Sequence, residues 1–173
     1  MDKYSLDIKP KDHVKGNRHS PVILTEFGDY ECPFSRLGYR FVQKLLSKQE
    51  DSFCFVFRNF PLKKHPNAFI SAEAALSAGK LGFFWEMHDV LFEHNNELSK
   101  DRILGFAEQL ELDKRTFYQS MEAHEFKKRI QDEYRTGVAH GVNDTPTFFI
   151  NGIKYDGKLE YKALSAFLTS FLT

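Results

Sequence analysis

Apolar and polar positions along the chain predict a strand, a helix and a second strand near the N-terminus. Residues 22–27 (VILTEF) are apolar and β-branched, which is typical of a buried strand. Over 33–48, apolar side chains recur at steps of three and four residues, as on one face of a helix. The run 53–57 (FCFVF) is continuously apolar, as in a strand that is buried on both faces. A strand, a helix and a strand in this order predict a βαβ unit with parallel strands and a right-handed crossover.

A long helical region follows this unit. Residues 67–140 are predicted to be almost wholly helical, and Ser99 and Asp113 precede two of the apolar-periodic segments as expected of N-caps. The apolar stripe of the last of these helices is predicted to consist of Phe126, Ile130, Tyr134 and Val138.

The strand pattern returns near the C-terminus. Asn151-Gly152 separates two apolar runs, which is a strong signal for a two-residue hairpin, and a final helix is predicted over 160–172. The chain is therefore predicted to be an α/β protein with a mixed central sheet, helices on both faces and a loosely packed N-terminal arm. The predicted divisions are the arm over 1–20, a sheet domain over 21–66 and 141–173, and an inserted helical subdomain over 67–140.

Composition excludes several classes of function. Among 173 residues, 24 basic and 24 acidic side chains balance, so no overall field favours nucleic acid. No apolar run approaches the roughly 20 residues of a membrane span, and residues 1–7 lack the apolar core of an export signal. The histidines lack metal-ligand spacing, so no metal site is expected. Two distant cysteines predict a reduced, cytoplasmic protein, although a chain trimmed of an export signal would look the same.

The candidate for chemistry is Cys32, which lies where the first predicted strand turns into the first predicted helix. Pro33 takes the first helical position, and the unpaired N–H groups of a helix start favour a thiolate. The polar run 29–31 predicts an exposed sulfur, although a lone cysteine is often a small buried hydrophobe. Ser35, one turn later, either offers its hydroxyl to the sulfur or hydrogen-bonds locally. Cys54 lies within an apolar strand and is predicted to be structural and unreactive.

Several motifs, taken together and in this order, resemble the DsbA family of thioredoxin-fold thiol–disulfide oxidoreductases. The resemblance runs from about residue 12 to the C-terminus and includes members without a signal peptide, some of which are fused to sodium/proton antiporters. It implies a thioredoxin fold with an inserted helical subdomain. The segments that carry it are 12–16, 25–34 (TEFGDYECPF), 57–66 (FRNFPLKKHP), 84–92 (FWEMHDVLF) and 141–152 (GVNDTPTFFING).

The resemblance also implies roles for individual residues. Cys32 would be the nucleophile, Pro146 a cis-proline facing it, and Thr145 a backbone partner for a bound substrate strand. Glu26 matches a buried acid that moves protons in relatives. From the residues alone, Glu26 could equally be a solvated strand-end residue, and Pro146 an ordinary turn proline. The expected catalytic residues are Glu26, Cys32, Pro33 and Ser35, and the expected substrate-binding residues are Phe34, Thr145 and Pro146.

The chain departs from the family where Ser35 replaces a second cysteine. A hydroxyl cannot resolve a mixed disulfide, so a dithiol cycle is closed to this sequence. A serine introduced to trap mixed disulfides would give the same sequence. Asp144 is a second departure, since relatives often have glycine there. We therefore expect a monothiol enzyme that forms mixed disulfides with proteins or with glutathione as co-substrate, and no other cofactor. The alternatives are a non-catalytic binding module and a glutathione-dependent isomerase or transferase.

Overall fold

The computed structural model describes residues 4–172, which form a mixed five-stranded sheet with seven α-helices. The strands are β1 (Val14–Gly16), β2 (Ile23–Gly28), β3 (Cys54–Asn59), β4 (Thr147–Ile150) and β5 (Ile153–Lys154). The helices are α1 (Pro33–Gln49), α2 (Ala68–Lys80), α3 (Phe84–Glu93), α4 (Lys100–Gln109), α5 (Lys114–Glu122), α6 (Lys127–Ala139) and α7 (Tyr161–Thr169). A short 3-10 helix, Glu50–Ser52, follows α1.

The strand order is β1-β3-β2-β4-β5, with β2 and β3 parallel and the other pairs antiparallel. The parallel pair joined through α1 confirms the predicted βαβ unit. The predicted hairpin is also confirmed, because Asn151 and Gly152 have φ angles of 48° and 79° between β4 and β5. Positive φ at both central residues is the conformation that such a turn requires.

The core is built from aromatic side chains on both sides of strand β3, which lies between β1 and β2. All six residues of β3 are buried, as the continuous apolar run predicted. On one side, the rings of Tyr30, Phe57 and Phe92 surround His88. Burial holds the pKa of His88 well below its ordinary value, and its Nδ1 lies 3.0 Å from the Tyr30 hydroxyl. The histidine is therefore a neutral member of the core, hydrogen-bonded as buried polar groups generally are.

The prediction of a loosely packed arm over residues 1–20 is wrong for the described part of that segment. Strand β1 lies in it and pairs with β3 at the sheet edge. The guanidinium of Arg58, which is 1% exposed, donates hydrogen bonds to Asp12 and to the Asp7 carbonyl, each at 2.8 Å. A buried charge needs such partners, so these hydrogen bonds to Arg58 hold the N-terminal segment in place. With only three residues, β1 is too short to show the alternation of apolar and polar positions that predicts a strand.

The predicted N-caps of the helical region are confirmed. The Ser99 side chain accepts a hydrogen bond from the N–H of Arg102 at 3.2 Å. The Asp113 side chain likewise accepts one from the N–H of Thr116 at 2.8 Å. These two side chains satisfy backbone donors that the first turns of α4 and α5 leave unpaired.

The predicted apolar stripe of the last helix is confirmed at three of its four residues and is wrong at Val138. Ile130 is buried, and Phe126 and Tyr134 pack against the core, but Val138 is 52% exposed. The neighbouring Gly137 faces inward instead, where an added Cβ would lie 2.7 Å from the Phe60 ring. The backbone of α6 therefore approaches the Phe60 ring at Gly137. This close approach determines which face of the helix points inward.

Candidate active site

Cys32 lies at the N-cap of α1 and faces the loop before β4. Its thiol donates a hydrogen bond to the carbonyl oxygen of Thr145 at 3.3 Å. Its N–H donates to the carbonyl of Asp29 at 3.0 Å, and the helix begins at Pro33. The sulfur was predicted to be exposed, and this is wrong, because the residue is 2% exposed. The adjacent loop and the preceding turn cover it, although it stands at the positive end of a 17-residue helix.

The loop opposite Cys32 contains a cis peptide bond between Thr145 and Pro146. The side chain of Asp144 accepts a hydrogen bond from the N–H of Thr145 at 2.9 Å, and its carbonyl accepts one from the Thr147 hydroxyl at 2.7 Å. These bonds aim the Thr145 carbonyl at the sulfur. The carboxylate of Asp144 is 68% exposed and lies 3.8 Å from the ammonium of Lys64.

Ser35 is held by the backbone of the turn that precedes Cys32. Its hydroxyl oxygen accepts a hydrogen bond from the N–H of Asp29 at 3.2 Å, and the residue is fully buried. Of the two roles weighed for Ser35, local hydrogen bonding is therefore the one that the structure displays, rather than a contact with the sulfur. The Ser35 hydroxyl therefore stabilises the turn that precedes Cys32.

Asp29 is the hydrogen-bond centre of this turn, a role that was not predicted from the sequence. One carboxylate oxygen accepts a bond from the N–H of Glu31 at 2.8 Å. The other accepts one from the N–H of Leu62 at 2.8 Å and lies 2.7 Å from Nδ1 of His65. Its side chain is 0% exposed, so the carboxylate joins the active-site turn to the loop after β3. The available signal was an aspartate just before a helix start, where its side chain commonly bonds nearby N–H groups.

Glu26 is a buried acid in β2 and is 1% exposed, so the alternative of a solvated strand-end residue is wrong. Burial disfavours its ionised form and raises the pKa of its carboxyl group well above the ordinary value. Its Oε1 has no hydrogen-bond partner among residues 4–172. An unpaired buried oxygen is costly, and the cost is lower when the carboxyl group is protonated and neutral.

Gly38 in the middle of α1 brings this acid and the proline loop to one place. A Cβ added to it would lie 3.1 Å from the Pro146 ring, 3.1 Å from the Phe148 ring and 3.4 Å from Oε1 of Glu26. All three groups therefore border the same point of the helix. Gly38 was not among the residues predicted from the sequence, although a glycine inside a helix costs about 1 kcal/mol and often marks close packing.

The other candidate residues differ in exposure. Phe34, which follows the Cys32-Pro33 pair, is 62% exposed and presents an apolar ring beside the site. Cys54 is fully buried, and burial raises the pKa of its thiol. Both cysteines are free. Across the described residues, no cluster of three or more histidine, cysteine or acidic side chains is placed to hold a metal ion.

This arrangement, with a cysteine at the start of the helix after β2 and a cis-proline before β4, is a thioredoxin-fold site. The profile of a family described as thioredoxin matches residues 9–170, and the chain belongs to that family. Similar solved structures include a thioredoxin-like oxidoreductase from Silicibacter pomeroyi, with 26% identity, a TM-score of 0.81 and coverage of 94% of this chain and 93% of that chain. The thiol-disulfide exchange protein α-DsbA2 from Wolbachia pipientis shares the fold at 21% identity, with a TM-score of 0.83 over 94% of this chain and 88% of that chain.

The curated relatives are longer proteins. The Na(+)/H(+) antiporter NhaA 1 of Salinispora arenicola is 40% identical over 161 residues, which cover 92% of this chain and 24% of the antiporter. NhaA 1 of Mycolicibacterium vanbaalenii is 34% identical, with coverage of 89% and 25%. The chain thus spans about a quarter of the length of these relatives. Within residues 4–172, no helix has the length and apolar character of a membrane span.

Proposed function

We propose that this chain is a thiol–disulfide oxidoreductase that works through a single sulfur, that of Cys32. One observation carries the proposal: the Cys32 thiol stands at a helix start and donates to the Thr145 carbonyl beside cis-Pro146. The position one turn later holds the Ser35 hydroxyl, and Cys54 is enclosed in β3. Neither side chain offers a resolving thiol at the site, so exchange must be completed by a second molecule.

The cycle then has two exchange steps. The Cys32 thiolate attacks one sulfur of a substrate disulfide, the S–S bond breaks, and the departing thiolate takes a proton. The captured half remains bound to Cys32 as a mixed disulfide. A free thiol such as glutathione loses its proton and attacks the captured half, which leaves in a new disulfide while Cys32 returns as thiolate. One disulfide is consumed and one is formed, so the cycle supports isomerisation or removal of glutathione from proteins.

The surrounding residues have complementary roles in this cycle. Unpaired N–H groups at the start of α1, which begins at Pro33, stabilise the thiolate. The Thr145 carbonyl accepts from the thiol in the resting state and is free for a substrate backbone N–H once Cys32 reacts. Glu26 is a proton donor and acceptor, because its carboxyl group is buried, unpaired and adjacent to the Pro146 loop. Phe34 gives apolar contact to the bound substrate.

A second candidate is a binding module without turnover. The exposed ring of Phe34 beside Cys32 favours it, because apolar contact with a partner does not depend on disulfide exchange. A glutathione-dependent isomerase or transferase remains the third hypothesis from the sequence. The cytoplasmic location expected from the sequence stays a prediction.

Turnover of a glutathionylated peptide by the protein in the presence of glutathione tests the proposal. The matched variants are Cys32→Ala and Cys54→Ala. We expect the parent and Cys54→Ala to release peptide thiol catalytically, and Cys32→Ala to give only the uncatalysed rate. An adduct on Cys32 seen by mass spectrometry after acid quench, without turnover, would establish the binding module. Absence of both adduct and turnover would contradict the proposed exchange.

A further inference from the structure

A groove of about 380 Å³ lies between the loop after β3 and helix α6. Ile130, which is 1% exposed, belongs to the apolar part of its lining. The apolar lining comes from Pro61, Phe69, Ile130 and Tyr134, and the charged lining residues are Lys63 and Arg135. Both charged groups are cations, so the groove combines an apolar surface with one sign of charge.

The two cations are available to a ligand. The exposed Lys63 forms no ion pair among residues 4–172. The side chain of Arg135 is 56% exposed and has its charged contact with Asp132 at 3.5 Å on the same helix. An exposed pair of this kind is weak and is readily exchanged for another carboxylate.

Tyr134 gives the groove a fixed apolar wall with one open polar group. Its ring stacks on the buried ring of Phe60, with centroids 4.3 Å apart and planes at 17°. Its hydroxyl has no hydrogen-bond partner in the part of the chain that the structure describes. A rigid aromatic wall with a free hydroxyl is typical of residues that anchor bound peptides.

The groove is connected to the nucleophile through Asp29. Pro61 and Lys63 of the groove flank Leu62, whose N–H donates to the buried Asp29 carboxylate at 2.8 Å. The Asp29 carbonyl accepts from the N–H of Cys32 at 3.0 Å. The loop that lines the groove is therefore held to the turn that carries the sulfur, and a substrate bound there is bound to part of the active-site framework.

We propose that this groove binds an apolar–acidic peptide stretch of the proteins whose disulfides Cys32 attacks. The inference rests on the proposed function and names its substrate class. Lys63 and Arg135 recognise carboxylates, while the partly exposed Pro61 and Phe69 receive an apolar side chain. Glutathione has carboxylates but no large apolar side chain, so it leaves the apolar lining unused. Nucleic acid is disfavoured because Phe60 already stacks on Tyr134 and the chain has no net positive charge.

Binding of cysteine-free, fluorescent ten-residue peptides, measured by anisotropy, tests the groove without any exchange chemistry. One peptide alternates leucine or phenylalanine with aspartate or glutamate, a second replaces the acids by lysine, and a third replaces the apolar residues by serine. The protein variant is the double substitution Lys63→Glu and Arg135→Glu. Its control is Lys162→Glu, an exposed lysine of α7 outside the groove.

We expect the apolar–acidic peptide to bind the parent at least about tenfold more tightly than either other peptide, and to lose about tenfold in the double variant. The control should bind like the parent, and added salt should weaken the binding. The proposal would be overturned by equal binding of the three peptides or by full binding to the double variant. It would also be overturned if laurate, a fatty-acid anion, displaced the peptide. If this binding holds while no disulfide turnover is found, the groove stands and the exchange reaction fails. If disulfide turnover is found but this binding is not, the exchange reaction stands and the groove proposal fails.

Discussion

The Cys32 thiol donates a hydrogen bond to the Thr145 carbonyl at 3.3 Å, between residues that are 113 positions apart in the chain. The contact joins the start of α1 to the cis-proline loop before β4. The carbonyl loses this donor when the thiol ionises or reacts. The same oxygen is then free to accept another hydrogen bond, as the proposed exchange reaction requires of it.

Cys32 should be the reactive thiol of the protein. Cys54 is fully buried in β3, where burial raises the pKa of its thiol, so its modification requires opening of the sheet. We expect iodoacetamide to label Cys32 at least about tenfold faster than Cys54 in the native protein. Peptide mapping measures both rates, and in denaturant the difference should disappear. Faster native labelling of Cys54 would contradict the assignment of the nucleophile.

Ser35→Cys should convert the site into a dithiol. Positions 32 and 35 lie one helical turn apart, where Cβ atoms are about 5–6 Å from each other before adjustment. Sulfur is a poorer acceptor than oxygen for the Asp29 N–H, so we expect a loss of about 1 kcal/mol in the free energy of unfolding of the reduced variant. The oxidised variant should contain an internal disulfide and should gain insulin-reducing activity with dithiothreitol. The same substitution combined with Cys32→Ser should have neither property.

Glu26→Gln should change the pH dependence of stability. Burial raises the pKa of the Glu26 carboxyl above its ordinary value of 4.5, so the folded protein retains a proton that the unfolded chain releases. The free energy of unfolding therefore falls as pH increases from that value towards the folded pKa. Glutamine does not titrate, so the variant should be more stable than the parent at neutral pH and should lose this advantage in acid.

Urea denaturation at several pH values measures this difference. Glu86→Gln, at an exposed position of α3, should leave the pH profile unchanged. Because glutamine cannot transfer a proton, Glu26→Gln should also slow disulfide exchange by about tenfold or more. A parallel pH profile for parent and Glu26→Gln would show that the pKa of Glu26 is the same in the folded and unfolded states.

Asp29→Ala should destabilise the active-site turn. It leaves the N–H groups of Glu31 and Leu62 without their acceptor and removes the partner of His65. We expect a loss of about 3 kcal/mol, since each buried donor left unpaired costs about 1–3 kcal/mol. Asp113→Ala removes one exposed N-cap bond and should cost only about 1 kcal/mol. Thermal unfolding compares the two, and equal losses would mean that Asp29 is not the centre of the turn.

Asp12→Ala should release the N-terminal segment from Arg58. The guanidinium would remain buried with carbonyl partners alone, and breaking a buried pair typically costs about 3–5 kcal/mol. Hydrogen exchange of the β1 amides should accelerate in the same variant. Glu108→Ala, which breaks the exposed pair with Lys114, should change stability by less than about 1 kcal/mol. A small effect of Asp12→Ala would mean that the carbonyls alone satisfy Arg58.

The sequence by itself determined the local elements of this protein. The apolar run of β3, the three-and-four spacing of α1, the Asn151-Gly152 turn and the Ser99 and Asp113 caps all follow from interactions within a few residues, and all are found. Such patterns record which side of an element faces the core. They also placed Cys32 at a helix start, because Pro33 marks that boundary.

The tertiary structure decided which distant groups meet. The thiol of Cys32 is covered by Thr145, Asp29 binds the loop that contains His65, and Glu26 is enclosed where Gly38 lets the helix approach. None of these contacts has a periodic signature, because each joins single residues on separate elements through one hydrogen bond or one missing side chain. Whether a polar residue such as Asp29 or Glu26 can be buried depends on a compensation for its lost contact with water. A hydrogen-bond partner or a bound proton provides that compensation, and only the assembled fold supplies it.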